Sequence, residues 1–146
     1  MAILLCDECV YTFNMYRSFA FSSGGACHFQ GFGEWKVRAD DNGSLAIQQD
    51  LFGTLKDFGT FNLSPVDTAS LWELIADAAF EQRASSTGPG IPDDCMMGFA
   101  LSAQETPLHS IQLWASEAFA DNSIKRLIEK IENLIEKCTG QKPVLR

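Results

Sequence analysis

Four side chains near the start of the chain have types and a spacing that can support chemistry: Cys6, Cys9, Cys27 and His28. Two thiolates separated by two residues can bind a tetrahedral zinc ion, but a closed zinc site needs four ligands. Because Cys27 and His28 are adjacent in sequence, their side chains are hard to aim at one ion together. We therefore interpret the cysteines as ordinary reduced thiols and predict no metal site and no cofactor.

A catalytic use of the same residues is the alternative. A nucleophile pair of Cys27 and His28 needs the imidazole against the sulfur and a third group to orient it, which neighbours in sequence rarely provide. A redox cysteine pair lies in a βαβ context, and none is visible around Cys6 and Cys9. His109 lies inside a predicted strand, where a structural role is expected. The sequence therefore predicts no catalytic residue, and a metal- or thiol-dependent protein stays the alternative.

A glycine-rich segment, residues 24–35 (GGACHFQGFGEW), combines four glycines with three aromatic residues. It lacks the phosphate-binding motif G-x-x-x-x-G-K-[ST], and predicted strands flank it on both sides, so it is not expected to bind phosphate. Aromatic anchors on a glycine-rich loop are typical of a recognition surface, although such rings also pack in cores. The predicted binding residues are Gly24, Gly25, Phe29, Phe32 and Trp35.

The composition is that of a folded, acidic domain. The chain has 146 residues, of which 46% are hydrophobic and 21% charged, and its formal net charge is -8. A domain of this length buries roughly two thirds of its unfolded surface, so it needs neither disulfides nor metal to hold a core. The negative charge disfavours nucleic acids and anionic membrane surfaces. We expect the partner to be another protein, whereas the oligomeric state does not follow from the sequence.

The cysteine count and the amino terminus both bear on location. Five cysteines, an odd number, are typical of a reducing compartment, and we predict a cytoplasmic location. The first residues, MAILLCDECV, have no basic group before their apolar run, so they predict neither a signal peptide nor a membrane span. We interpret residues 1–15 as an amino-terminal extension, with Met15 as an alternative native start, and residues 16–146 as a single domain.

Alternation of large and small or apolar and polar residues predicts the strands. They cover residues 16–22, 34–40, 44–49, 56–63, 95–102 and 108–115, with 56–63 the least marked. In the second of these, Trp35, Val37 and Ala39 share one face. The turn Asp41-Asn42-Gly43 predicts a hairpin, because Asn and Gly tolerate the positive φ of tight turns.

The first helix is marked by its amino-terminal residues. Ser64 is a natural N-cap, Pro65 suits the first helical position, and Asp67 can complete a capping box. The helix is expected to extend to about Arg83. Its predicted buried stripe is Val66, Leu71, Trp72, Leu74, Ile75 and Ala78.

The last helix carries the clearest pattern and decides the fold class. From Asn122 to Cys138, apolar residues recur every three or four positions, so they form one stripe that must be buried. Asp121, Asn122 or Ser123 is the expected cap, and Gly140 the expected end. The order strands, helix, strands, helix predicts an α+β fold: a mostly antiparallel sheet of about five strands with both helices on one face, with a cystatin-like arrangement as one option.

The order of these signals resembles emfourin-like small bacterial proteins that inhibit proteases. The residues that carry the resemblance are Phe21-Ser22-Ser23-Gly24-Gly25 after a first strand, Leu63-Ser64-Pro65 at the start of a helix, residues 75–80 at its end, Pro92-Asp93 before a strand, and His109 to Leu113 in the next. The chain departs from the family pattern by an insertion around residues 29–35. The resemblance implies a non-enzymatic protein-binding module.

The sequence therefore predicts a non-enzymatic protein-binding module, acting as an inhibitor or accessory factor. Two alternatives stay open: a metal- or thiol-dependent protein that uses Cys6, Cys9, Cys27 and His28, and a domain that binds a small ligand between its sheet and helices.

Metal analysis of the purified protein distinguishes the first alternative from the leading prediction. We expect no stoichiometric zinc, because the chain lacks a second closely spaced pair of ligands. A structural zinc site would instead give about one zinc ion per chain, and that content would contradict our interpretation of the cysteines.

Overall fold

The structure is a computed structural model, and it describes residues 16–23, 33–51, 53–88, 94–103, 106–143 and 145. Within these residues it contains six strands and three α-helices. The strands are β1 (Ser18–Ser23), β2 (Glu34–Asp40), β3 (Ser44–Leu51), β4 (Thr54–Asn62), β5 (Met96–Ala103) and β6 (Thr106–Trp114). The helices are α1 (Pro65–Ala78), α2 (Ala115–Ala120) and α3 (Asn122–Thr139), and a 3-10 turn, Phe80–Gln82, follows α1.

All six strands form one antiparallel sheet in the order β4-β3-β2-β1-β5-β6. The predicted α+β class is confirmed, with six strands in place of about five. The difference arises because the least marked segment forms a full strand of nine residues at the edge of the sheet. At the centre, β1 pairs with β2 and with β5, so that Ser18 lies opposite both Asp40 and Ser102.

The core lies between one face of this sheet and the helices. On β2, Trp35, Val37 and Ala39 are at most 4% exposed, as their predicted shared face requires. The buried apolar residues of all the central strands and of α1 and α3 belong to one cluster. Burying each large aliphatic or aromatic side chain in it contributes about 1.5–3 kcal/mol.

Helix α3 is buried and capped as its sequence predicts. The carboxylate of Asp121 accepts hydrogen bonds from the amides of Ser123 and Ile124, and Gly140 ends the helix in the left-handed conformation. The buried side chains of α3 are Ile124, Leu127, Ile128, Ile131, Leu134 and Ile135. Cys138, the last residue of the predicted stripe, is partly buried against the core.

Helix α1 begins as predicted but departs from the prediction in the burial of one residue and in where it ends. Val66 is 77% exposed, so its predicted place in the buried stripe is wrong: it lies in the first turn, before the helix reaches the core at Leu71. The helix ends at Ala78 rather than near Arg83, because Ala79 adopts the left-handed conformation with a φ of 49°. The left-handed conformation costs free energy for a residue with a side chain, so the packing of the residues that follow Ala79 must offset that cost.

The residue that provides this packing is Phe80. Its ring is 1% exposed and lies 4.8 Å from the ring of Phe99 and 6.0 Å from that of Phe19, measured between centroids. An α-helix continued through Ala79 would carry the ring around the helix axis, away from both partners. The early end of α1 is therefore the consequence of an aromatic cluster that the local sequence does not reveal.

Arg83 joins the end of α1 to the start of α3. Its guanidinium donates to the carbonyl oxygen of Ala78 at 2.6 Å and to the carboxylate of Asp121 at 2.7 Å. Burial raises the pKa of Asp121, but the hydrogen bonds from Arg83 and from two backbone amides outweigh it, so the pKa lies below its usual value. Because the other oxygen of the carboxylate caps α3, this ion pair connects the end of α1 to the cap of α3.

A second polar contact joins the same helices at their other ends. The amide of Asp67 donates to the hydroxyl oxygen of Ser64 at 3.1 Å, which confirms the predicted N-cap. Its carboxylate accepts hydrogen bonds from Lys130 at 2.9 Å and from Lys137 at 2.8 Å. The two ammonium groups, Lys137 first, lower the pKa of Asp67 from 3.8 to about 2.

The Asp67 contact makes stability depend on pH. Because the pKa is lower in the folded protein, the stabilisation is present above about pH 4 and is lost as the pH falls to about 2. We expect Asp67→Asn to lower the free energy of unfolding by about 1–2 kcal/mol at pH 7, allowing for the exposure of Lys137. Urea unfolding between pH 7 and pH 2 checks this, with Asp77→Asn on the exposed face of α1 as the matched control. A loss that persists undiminished at pH 2 would contradict it.

Candidate functional site

The second face of the sheet, opposite the helices, carries the most distinctive concave surface among the described residues. Strand residues that alternate with the core positions lie on this face. No described helix or loop packs across its centre, where a hollow of about 380 Å³ lies. We call this hollow the sheet groove; its side chains come from Ala20, Ser22, Lys36, Arg38, Ala46, Gln48, Gly98, Ala100, Ser110 and Gln112.

The floor of the sheet groove consists of small residues on the two central strands, β1 and β5. The register places Ala20 beside Ala100 and Ser22 beside Gly98. None of these side chains extends more than two heavy atoms from the backbone. The floor therefore exposes backbone and methyl groups, and a bound segment can approach the sheet closely.

A side chain at position 98 would meet the hydroxyl of Ser22 on the neighbouring strand. A Cβ built on Gly98 would lie 2.6 Å from the hydroxyl oxygen of Ser22, closer than real atoms approach. The distance from the same point to the Cβ of Ser22 is 4.0 Å, an ordinary contact. The hydroxyl of Ser22 therefore occupies the space above Gly98.

Longer side chains form the two walls of the sheet groove. Lys36 and Arg38 of β2 and Gln48 of β3 lie on one side, and Gln112, with the shorter Ser110, extends from β6 on the other. β2 and β6 are three strand intervals apart in the sheet order, which corresponds to about 14 Å. The groove is therefore wide enough for one extended segment or one helix.

The wall on β6 is held by the connection that follows α1. The amide of Gln112 donates to the hydroxyl oxygen of Ser85 at 3.0 Å, and the amide of Ser86 donates to the carbonyl oxygen of Gln112 at 2.8 Å. The amide of Trp114 in turn donates to the hydroxyl oxygen of Ser86 at 3.1 Å. These bonds occupy backbone groups at the sheet edge, so this part of β6 is a fixed wall rather than a free edge.

Of the predicted binding residues, the structure describes Trp35 alone, and Trp35 does not line the sheet groove. Trp35 is fully buried on the core face and stacks on Phe58 at 5.7 Å between ring centroids, so its ring packs in the core, the other use considered for these aromatic residues. The other predicted binding residues lie outside the described residues: Gly24, Gly25, Phe29 and Phe32. So do the four residues of the metal- or thiol-dependent alternative: Cys6, Cys9, Cys27 and His28.

The titratable groups that the structure does describe are not arranged for chemistry. Cys95 donates to the carbonyl oxygen of Leu145 at 3.0 Å, and burial raises the pKa of its thiol, so it stays protonated at neutral pH. Burial likewise raises the pKa of Cys138. His109 lies on the core side of β6 with a buried Nε2 atom. Within the described ranges, no three His, Cys, Asp or Glu residues converge as a metal site.

A second hollow, of about 340 Å³, lies between the start of β1 and α1. Its charged groups already pair with each other, since Arg17 contacts Asp41 at 2.7 Å. The indole N–H of Trp72 donates to the carbonyl oxygen of Asp40 at 3.1 Å. Because its polar groups have partners, this hollow offers a ligand less to recognise than the sheet groove.

The sequence contains a partial signal for the sheet groove. The alternation that assigns Trp35, Val37 and Ala39 to the core also assigns Lys36 and Arg38 to the opposite face. The floor has no comparable signal, because its residues become neighbours only when β1 pairs with β5, which are far apart in the chain.

Comparison with known proteins adds no family to this description: no protein-family model matches the chain, and no curated protein matches its sequence. Among the described helices, none has the length and apolar character required to cross a membrane. The emfourin-like resemblance therefore stays a prediction.

The close approach at Gly98 yields a test of the floor geometry. We expect Gly98→Ala to be less favourable by about 1 kcal/mol when residue 22 is Ser than when it is Ala, because Ser22→Ala removes the oxygen that the new methyl group meets. Denaturant unfolding of the four proteins of this double-mutant cycle measures the coupling. Equal effects of Gly98→Ala in both backgrounds would contradict the described contact between the Ser22 hydroxyl and position 98.

Proposed function

We propose that this domain is a non-enzymatic protein-binding module, an inhibitor or accessory factor, that binds a segment of another protein in the sheet groove. The observation that carries the proposal is a groove with a floor of Ala, Gly and Ser across the centre of an otherwise well-packed sheet. The odd number of cysteines supports a cytoplasmic setting for this function.

The composition of the floor favours binding over a simple solvent-facing surface. An antiparallel sheet can leave one face in water, and its strands then carry polar side chains on that face. The centre of this face carries Ala20, Ala100 and Gly98 instead, with longer polar side chains only at the walls. A partner that supplies bulky apolar side chains would fill the space that these small residues leave.

The shape of the sheet groove favours a protein segment over a small molecule. Small-molecule sites surround most of the ligand, with walls on several sides. The described residues bound the sheet groove below and along two strands, and they leave its ends along the strand direction open. A partner strand or helix that lies along β1 and β5 fits this shape better than a small molecule does.

Site-specific photo-cross-linking in the native host tests the proposal. A benzophenone amino acid in place of Gln112, on the wall of the groove, is expected to form an adduct with a partner protein. The adduct is expected to disappear when Ala100→Tyr fills the floor, because the ring occupies the space of the partner's side chain. The matched control is the same probe in place of Asn133 on the exposed surface of α3.

Two results would contradict the proposal. One is an adduct at position 112 that persists at full yield with Ala100→Tyr. The other is the absence of any adduct at position 112 beyond those formed from position 133. Circular dichroism and thermal unfolding of each variant establish that the fold is intact before either result is interpreted.

A further inference from the structure

The chemistry of the partner segment follows from the two cations on β2. Lys36 and Arg38 are two residues apart on one face of the strand, so both side chains extend from the same wall of the sheet groove. They stand out in a chain with a formal net charge of -8. Among the residues that the structure describes, no other charged side chain lines the groove.

Arg38 has no acidic partner within the described part of the chain. Its cross-strand neighbours on the open face are Ala20 and Ala46, whose side chains accept no hydrogen bonds. The arginines of the described ion pairs, Arg17 and Arg83, each contact an aspartate at 2.7 Å. Arg38 is instead exposed at the lining of the groove, where its guanidinium offers five N–H donors.

Lys36 is only loosely paired. Its ammonium lies 3.7 Å from the carboxylate of Glu34, and both side chains are more than 40% exposed. An exposed pair at this distance contributes little to stability, so exchanging it for a ligand carboxylate costs little. Three other carboxylates near the open face accept hydrogen bonds from turn amides: Asp40 from Ser44 at 2.9 Å, Asp50 from Gly53 at 2.8 Å, and Asp57 from Gly59 at 2.8 Å.

The overall negative charge of the protein does not prevent an acidic segment from binding here. At physiological salt, the interaction between exposed charges is largely screened beyond about 8 Å. The binding free energy of a ligand carboxylate is therefore set mainly by its contact with Arg38, whereas the distant negative charges chiefly lower the rate of association. Arginine and carboxylate form two parallel hydrogen bonds, which fix orientation as well as charge.

We infer that the sheet groove recognises an acidic segment of a partner protein, with Asp or Glu side chains bound to Arg38 and Lys36 and a bulky apolar side chain packed on the floor. The inference rests on the proposed function and adds the class of ligand to it. The apolar anchor follows from the floor, where Ala20 and Ala100 lie side by side and leave space for one large side chain. The acidic side chains of the ligand are inferred from the two cations, Lys36 and Arg38, on the wall of the groove.

Selection from a displayed library of random peptides tests the inference with the full-length protein. The peptides enriched on the wild-type protein are expected to combine Asp or Glu with a large apolar residue. On Arg38→Glu, the enrichment of acidic residues is expected to be lost. The matched control is Arg126→Glu, which makes the same charge change on the exposed surface of α3 and is expected to retain the wild-type preference.

Affinity measurements on the most enriched peptide complete the test. By fluorescence anisotropy, Arg38→Glu is expected to weaken binding by about tenfold or more, the effect of losing a charge-assisted hydrogen bond, and Arg126→Glu by much less. Raising the salt concentration is expected to weaken the wild-type complex by a larger factor than the residual binding of Arg38→Glu, which keeps only the contact with Lys36.

The outcomes separate this inference from the proposed function. The acidic class of ligand is wrong if the enriched peptides lack acidic residues, or if Arg38→Glu still enriches acidic peptides. If enrichment is nevertheless lost with Ala100→Tyr, the groove still binds protein segments. If enrichment is unchanged by Ala100→Tyr, both are wrong. If no peptide is enriched over the blank surface, the inference is overturned, and the cross-links at position 112 decide the proposed function.

Discussion

Burial of the apolar stripe of α3 against one face of the sheet is the contact on which the rest of the structure depends. The helix itself is amphipathic, and its six buried leucine and isoleucine side chains are at most 3% exposed. Such a helix is stable only when tertiary packing covers its apolar side. The sheet provides that cover, so the positions that alternate with its core residues are directed away from the helices.

The contacts at the two ends of the helix pair fix how the helices lie on the sheet. Arg83 joins the end of α1 to the cap of α3, and Asp67 joins the start of α1 to two lysines of α3. The aromatic contact of Phe80 with Phe99 holds the connection after α1 against the centre of the sheet. Together these contacts keep both helices on one face, and the groove on the other face is the consequence.

The parts of this fold that could be predicted are those set by residues close together in the chain. The stripe of α3, the cap at Ser64 and the hairpin at Gly43 each depend on a few neighbouring residues, and each is as the sequence indicates. The left-handed Ala79 and the exposed Val66 depend on how α1 meets the core, so propensity alone misses them. The floor of the sheet groove depends on the pairing of β1 with β5, which no local pattern reveals.

The central claim is that the helices cover one face of the sheet and leave the other open. The most direct measurement is the relaxation of methyl NMR signals of the full-length protein by a neutral, soluble paramagnetic probe. Strong relaxation is expected for the methyl groups of Ala20 and Ala100 on the floor, with little effect on those of Ile47 and Ile131 in the core. Equal protection of all four would show that the supposed open face is covered, and it would contradict the account.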